Sequence, residues 1–274
     1  MKYAMPSTPA VIDLDSDGFA DVVYMGDLGG QMFKWYIKPV GEDRVNDGSS
    51  LRTQPNWPFR RIFTAPMQTI ATVDYHKNIF TPPAVSFSGT KLWLAFGTGR
   101  RDRVADEGVT GDLTENDRFY VIQDQDPHET AGTPPVTLNE TMLTDIGSTQ
   151  GAIALTTPGY FWIAADGEKF VTSTTIFAGT VIAATFTPDV MGNPCSSRGS
   201  GLLYAFHLTT AEGYFKDASG DPIRSLDIGS GMPTDPKTSA GPDGTANRVY
   251  IEKSDTEMIS FEANDINMNN SGLY

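Results

Sequence analysis

Short apolar segments separated by turns that contain Gly and Pro run along most of the chain, and they predict β-strands. The recurring order is a strand, a turn with Gly, an apolar strand, a loop and an aromatic strand. This order predicts an all-β fold built from four blade-like units. The units span approximately residues 8–37, 60–125, 160–215 and 223–265.

The first two units align with each other. Residues 9–11 correspond to 83–85, residues 23–27 to 94–98 and residues 32–35 to 119–122. Repeats with recurrent aromatic and Gly positions predict a β-propeller of four-stranded antiparallel blades, with a β-sandwich as the alternative. We expect residues 1–274 to form a single β-propeller domain or part of one. Four blades lie at the low end for a closed ring, so the propeller is expected to be modified or partial.

Composition narrows the class of protein. The 274 residues suffice for a sizeable core, and the 27 Gly and 18 Pro agree with many turns. A formal net charge of −14 argues against a nucleic-acid or anionic-membrane partner. The single Cys195 excludes an intrachain disulfide, and neither a signal peptide nor a membrane span is visible in the sequence.

An acidic stretch at residues 13–21 has the spacing of an EF-hand-type calcium loop. Gly18 occupies the sixth position, where the loop turns sharply, but Tyr24 stands where an EF-hand has its bidentate Glu. Apolar residues on both sides predict strands instead of helices, and hence a β-hairpin closed by a metal. The candidate Ca²⁺ ligands are the side chains of Asp13, Asp15, Asp17 and Asp21 and the main-chain carbonyl of Phe19.

The same residues also suit a solvated acidic turn, because Asp, Ser and Gly are ordinary turn formers. Four carboxylates in nine residues repel one another, however, and a cation would remove that cost. Ca²⁺ fits short Asp side chains and a carbonyl better than Mg²⁺, which requires an octahedron.

Other candidate residues give weaker signals. Acidic loops at 112–117 and 217–221 lack a full set of ligands, and residues 100–103 form a local basic segment. The three histidines, His76, His128 and His207, have no metal-ligand spacing. Four aromatic residues are candidates for stacking on sugars in a lectin: Trp57, Trp93, Trp162 and Tyr160. Trp57 is expected to be the most exposed of them, because it lies between Pro55 and Pro58.

Several segments of the chain follow one another in a distinctive order: residues 8–30 with Trp35, residues 94–100 with 118–120, and residues 185–188 with 194–195 and 201–205. Together they resemble the C-terminal domain of the PilC/PilY family of type IV pilus tip and biogenesis proteins. The resemblance implies a modified β-propeller, usually of seven blades, whose Ca²⁺ loop controls pilus extension and retraction. It assigns the calcium ligands to Asp13, Asp15, Asp17, Asp21 and the Phe19 carbonyl.

The resemblance also implies a non-catalytic protein at the pilus tip or outer membrane that acts in pilus biogenesis, adhesion and twitching motility. Its expected partners are pilus components such as minor pilins, another chain that completes the propeller, or a surface ligand. A carbohydrate- or surface-ligand-binding lectin is the alternative function. A quinoprotein-type enzyme is disfavoured because a single cysteine cannot form the vicinal disulfide usual in that class.

Overall fold

The computed structural model describes residues 2–37, 57–70, 72–100, 116–131, 133–188, 199–240, 247–254 and 257–262. These residues form twenty-one β-strands and one 3₁₀ turn at Glu140–Met142, with no α-helix among them. The predicted all-β class is therefore confirmed. None of the described residues forms a helix long and apolar enough to span a membrane. Asp112, Cys195 and residues 101–103 lie outside the described ranges.

The first sheet contains four antiparallel strands in sequence order. They are β1 (Ala10–Ile12), β2 (Val22–Gly26), β3 (Gln31–Tyr36) and β4 (Phe59–Thr64). A separate hairpin of β5 (Met67–Ile70) and β6 (Val73–His76) follows.

The second sheet repeats this arrangement. Its antiparallel strands are β7 (Ala84–Ser88), β8 (Lys91–Gly97), β9 (Arg118–Gln123) and β12 (Gly159–Ile163).

The outer edges of these two sheets are joined by one segment, residues 138–145, which we call the strap. It consists of β10 (Leu138–Asn139), the 3₁₀ turn and β11 (Thr144–Asp145). Strand β10 pairs in parallel with β4, and β11 pairs in parallel with β12. The strap therefore adds a fifth strand to each sheet.

The third sheet has four antiparallel strands and the fourth has three. The third contains β13 (Thr175–Phe177), β14 (Thr180–Pro188), β15 (Gly199–His207) and β18 (Ser225–Ser230), with the short hairpin of β16 (Phe215–Lys216) and β17 (Pro222–Ile223) between its last two strands. The fourth contains β19 (Lys237–Ser239), β20 (Arg248–Glu252) and β21 (Met258–Glu262).

Consecutive sheets pack face to face through three hydrophobic clusters. The first cluster joins Tyr24 and Phe63 of the first sheet to Phe96 of the second. The second joins the second and third sheets, and the third joins the third and fourth. The first strands of the first three sheets lie side by side, β1 next to β7 and β7 next to β13. This is the packing of blades around an axis.

One inter-sheet contact repeats in detail. A Cβ atom on Gly26 would lie 2.3 Å from Ile79 Cγ2, and one on Gly97 would lie 2.3 Å from Phe170 Cβ. The backbone N–H of Ile79 donates to the Asp27 carbonyl, and that of Phe170 donates to the Thr98 carbonyl. The predicted alignment of residues 23–27 with 94–98 agrees with this repeat.

Strand pairing groups the chain differently from the predicted units. Strand β4 lies in the predicted unit 60–125 but closes the first sheet, and β12 lies in the unit 160–215 but closes the second. Likewise β18 lies in the unit 223–265 but pairs with β15 of the third sheet. The outer strand of each sheet follows a long connection, so sequence proximity associates it with the following unit.

Candidate metal centre

The acidic segment 13–21 connects β1 to β2, and the predicted hairpin flanked by strands is confirmed. The loop is closed by a hydrogen bond of 2.9 Å from the Asp21 N–H to the Ile12 carbonyl. In the second sheet the same connection is the two-residue turn 89–90, and in the third it is the two-residue turn 178–179. The first sheet therefore carries seven more residues at this position than the other two.

Carboxylates of the loop accept hydrogen bonds from its own backbone. Asp13 Oδ1 accepts from the N–H of Ser16 at 2.7 Å, and Asp13 Oδ2 accepts from the N–H of Gly18 at 2.8 Å. Asp21 Oδ2 accepts from the N–H of Leu14 at 2.5 Å, which ties the end of the loop to its start. Gly18 has φ +91°, a conformation that L side chains rarely adopt. These contacts fix a compact turn.

Three of the five predicted ligands come together. One carboxylate oxygen each from Asp13, Asp15 and Asp21 lies within 4.8 Å of the other two, and no other such group of three or more occurs in the described residues. Asp17 is not in this group; its Oδ1 accepts from the N–H of Phe19 at 2.8 Å. The Phe19 side chain is 75% exposed, as expected for a residue that would contribute only its carbonyl.

The loop carboxylates differ in acidity. The hydrogen bond from the Gly18 N–H is the main cause of a lowered pKa at Asp13. At Asp15 the N–H of Asp17 lowers the pKa, but desolvation and repulsion from the neighbouring Asp17, Asp21 and Asp13 outweigh it, so the pKa of Asp15 is raised. Repulsion among these carboxylates is what a bound cation would relieve.

The donor set fits a hard cation. Each carboxylate oxygen has two lone pairs, so an oxygen that accepts one backbone hydrogen bond can still bind a metal. The loop offers carboxylates and main-chain carbonyls, and none of its side chains is a nitrogen or sulfur ligand. Oxygen-only ligands in an irregular loop favour Ca²⁺ over transition metals.

The sugar-stacking candidates divide by burial. Trp93, Trp162 and Tyr160 are 4%, 5% and 0% exposed and belong to the core between the second and third sheets. Their ring faces are therefore not available to a sugar. Trp57 is 43% exposed and remains a candidate.

Among the residues that the structure describes, the other predicted candidates form no further site. His76 packs against Tyr3 with ring centroids 4.6 Å apart, and His207 Nδ1 lies 3.3 Å from Thr209 Oγ1; His128 is exposed. Asp117 is buried and accepts from Thr98 Oγ1 at 2.8 Å. Asp217 accepts from the N–H groups of Ser219 and Asp221, so it stabilises the β16–β17 turn.

Sequence reasoning missed a buried ionic network between the first two sheets. The fully buried Lys34 Nζ lies 2.8 Å from Asp124 Oδ2 and 2.8 Å from Glu129 Oε1. Tyr24 donates to the same Asp124 oxygen at 2.5 Å, and Arg60 Nε donates to Glu129 at 2.7 Å. Alternation along β3, which places Lys34 on the same face as the buried Met32, is the signal that could have revealed it.

Consecutive antiparallel sheets that pack face to face, with their first strands side by side, define a β-propeller. The structure is similar to the crystal structure of the Pseudomonas aeruginosa PilY1 C-terminal domain, with a TM-score of 0.63 and 16% sequence identity. The match covers 91% of this chain and 59% of that chain, so the present chain spans somewhat over half of its length. The predicted propeller is confirmed.

The sequence itself matches the family model of the PilY1 β-propeller domain over residues 4–152. The chain therefore belongs to the PilY1 β-propeller family of type IV pilus-associated proteins, and the resemblance found in the sequence is confirmed. No curated protein matches the sequence.

Proposed function

We propose that this chain is a calcium-dependent, non-catalytic part of a type IV pilus protein that acts in pilus biogenesis, in control of extension and retraction, and in surface adhesion. Its place would be outside the cell, at the pilus tip or the outer membrane. Its partners would be minor pilins, or another chain that completes the propeller. Family membership supports the pilus role, and the acidic loop supports the calcium dependence.

The observation that carries calcium dependence is the length and charge of the β1–β2 connection. Two residues suffice for the equivalent turn in the second and third sheets. In the first sheet nine residues with four aspartates occupy this position, and three of the carboxylates converge. Leu14 packs against the first hydrophobic cluster, but the equivalent hairpins close with two residues, so a ligand is the simplest reason for the extra acidic residues.

The residues that would hold Ca²⁺ are Asp13, Asp15 and Asp21, with Asp17 and the Phe19 carbonyl nearby. Ca²⁺ would supply positive charge that offsets the repulsion among the carboxylates. Because Asp13 directly follows β1 and Asp21 directly precedes β2, shared coordination would hold the ends of the two strands together. Without the cation, repulsion would loosen this end of the first sheet.

The test is calorimetric titration with Ca²⁺ and, separately, Mg²⁺, combined with thermal unfolding. Asp15→Asn removes one charge but keeps an oxygen that can accept from the Asp17 N–H. Asp145→Asn is the matched control, because Asp145 is exposed and accepts one similar hydrogen bond, from the Gly147 N–H.

We expect one saturable Ca²⁺ site in the wild type and in Asp145→Asn, and roughly tenfold weaker binding in Asp15→Asn, as for loss of a charged ligand worth about 1.4 kcal/mol. Absence of saturable binding in the wild type would reduce the loop to an acidic turn and remove calcium from the proposal. The family assignment would stand in either case.

A second candidate function, binding of a carbohydrate or surface ligand, is favoured by the exposed Trp57 and by Phe59, which is 41% exposed and packs on Trp35 with centroids 4.4 Å apart. Exposed aromatic faces can stack on sugars. Glycan-array binding that is lost in Trp57→Ala but kept in a Val136→Ala control, which removes another exposed apolar side chain, would support this function.

A further inference from the structure

A second surface feature lies beside β3 and β4 of the first sheet and shares no residue with the acidic loop. It is an open groove with a volume of about 480 Å³, and we call it the basic groove. Three cationic side chains line it, together with an apolar part: Lys2, Arg60 and Arg61 with Phe33, Pro134 and Pro135. No acidic side chain is among the lining residues, although acidic residues outnumber basic ones by 34 to 20 in the chain.

The two exposed cations, Lys2 and Arg61, lack a direct ion-pair partner among the described residues, although Arg61 interacts electrostatically with Asp27. Arg61 Nη1 donates to the neutral Gln31 Oε1 at 2.7 Å, which orients the guanidinium but does not neutralise it. Lys2 Nζ lies 5.4 Å from the centroid of the Tyr3 ring. Within the described part of the chain, neither side chain forms a salt bridge. Most of the five N–H donors of Arg61 therefore remain for a ligand.

Arg60 has a different role in the groove. Its Nε lies 2.7 Å from Glu129 Oε1, and its Nη2 lies 3.6 Å from Asp124 Oδ1. These two carboxylates compensate the charge of the Arg60 guanidinium and fix its position in the groove. The backbone of Arg61 is held as well, because Thr137 Oγ1 donates to the Arg61 carbonyl at 2.9 Å. Arg60, Arg61 and Thr137 of the groove are thus held in place by contacts within the structure.

The lining also restricts the kind of ligand. Arg binds carboxylates through paired N–H donors, and a positive patch on an acidic protein attracts anions. Phe33 is only 6% exposed, so the groove has no open aromatic face on which a sugar ring could stack. Pro134 and Pro135 instead offer aliphatic surface, which suits apolar side chains beside an acidic group.

We propose that the basic groove binds an acidic peptide segment of a partner protein, with an aspartate or glutamate carboxylate at Arg61 and Lys2 and an adjacent apolar side chain against Pro134 and Pro135. This site shares no residue with the acidic loop, so its success or failure is independent of calcium binding.

The test uses two end-blocked hexapeptides, one of alternating Asp and Leu and one with Asn in place of Asp. Calorimetric titrations with the wild type, with Arg61→Gln and with Lys2→Gln give the affinities, and inorganic phosphate and sialic acid are titrated in parallel. Lys237→Gln is the control, because Lys237 is an exposed cation on β19 of the fourth sheet. Thermal unfolding checks that each variant is folded.

We expect saturable binding of the Asp peptide, at least about tenfold weaker binding of the Asn peptide, a similar loss in Arg61→Gln, a smaller loss in Lys2→Gln and no change in Lys237→Gln. Lys2→Gln keeps the test decisive if Arg61→Gln does not fold. Equal binding of both peptides, unchanged binding in both groove variants, or no binding would overturn the proposal. Tighter binding of phosphate or sialic acid than of the Asp peptide would also overturn it.

Discussion

The first and second sheets have the same type of inter-sheet contact in their interiors but differ at one hairpin. In both, a glycine at the end of the second strand receives a side chain of a following segment, Ile79 at Gly26 and Phe170 at Gly97. At the other end of the same strand, the second sheet has the turn 89–90 where the first has the loop 13–21. The shared contact belongs to the packing between sheets, while the acidic loop, whose Leu14 packs against the first cluster, lengthens a connection that the second sheet closes with two residues.

The strongest test of this difference replaces residues 13–21 by the Gly-Thr turn of the second sheet. We expect a folded chain whose stability no longer responds to Ca²⁺. If the wild type binds Ca²⁺ as proposed, the metal adds about 2.7 kcal/mol to its free energy of unfolding at a Ca²⁺ concentration one hundred times the Kd, and the variant lacks this gain. Chemical unfolding of both proteins with and without Ca²⁺ measures the difference. A variant that still gains stability from Ca²⁺ would show that the metal binds elsewhere.

The shared contact can be tested by Gly26→Ala and Gly97→Ala. Each new Cβ would lie 2.3 Å from a buried side chain, so each substitution should lower the free energy of unfolding by about 1–3 kcal/mol through overpacking. Urea unfolding measures the change. Gly151→Ala is the control, because nothing lies within 4 Å of its added Cβ. If only one of the two substitutions lowered the free energy of unfolding, the inter-sheet contacts at Gly26 and Gly97 would not be equivalent.

Acid should weaken calcium binding by the first sheet. The pKa of Asp15 is raised and that of Asp13 is lowered, so Asp15 takes up a proton first as the pH falls. Protons then compete with Ca²⁺ from a pH above that of an ordinary aspartate, and affinity falls by about tenfold per pH unit below the pKa of Asp15. Titrations across pH measure this, and Asp15→Asn should show a shallower fall in that range. An equal fall in both proteins would contradict the role of Asp15.

The smallest effects are expected at the turn glycines. Gly18 has φ +91° and Gly89 has φ +61°, and an added Cβ would meet nothing within 4 Å at either position. Gly18→Ala and Gly89→Ala should therefore each cost about 1 kcal/mol through backbone strain alone. Only Gly18→Ala should also weaken Ca²⁺ binding, which calorimetry resolves. A calcium effect in Gly89→Ala would argue against the assignment of the site to the first hairpin.

Local features of this fold could be predicted from the sequence. Alternating apolar segments and turn glycines predicted the strands, and the alignment of Gly26 with Gly97 predicted two equivalent positions. The Asp spacing predicted a hairpin loop between β1 and β2, and the structure has it. Each of these features depends on residues close together in the sequence. Calcium binding by the loop stays a prediction.

Long-range features could not be predicted in the same way. Strand β12 is as apolar as β14, and nothing in its residues indicates that it pairs with β9 of the preceding sheet. Lys34 pairs with residues about 90 positions later in the chain, Asp124 and Glu129. The basic groove combines Lys2, Arg61 and Pro134, which only the folded chain brings together.

The strap has a consequence for the order in which the chain can fold. Strand β10 completes the edge of the first sheet, yet each of its residues comes 75 positions after its partner, since Leu138 pairs with Phe63 and Asn139 with Thr64. During synthesis the β4 edge of the first sheet has no β10 to pair with until residue 139 has been added. Strand β11 in turn cannot pair with β12 until Tyr160 and Phe161 have been added. Contacts so far apart in sequence form slowly. We therefore expect the first two sheets to mature together, as one folding unit that ends near Ile163.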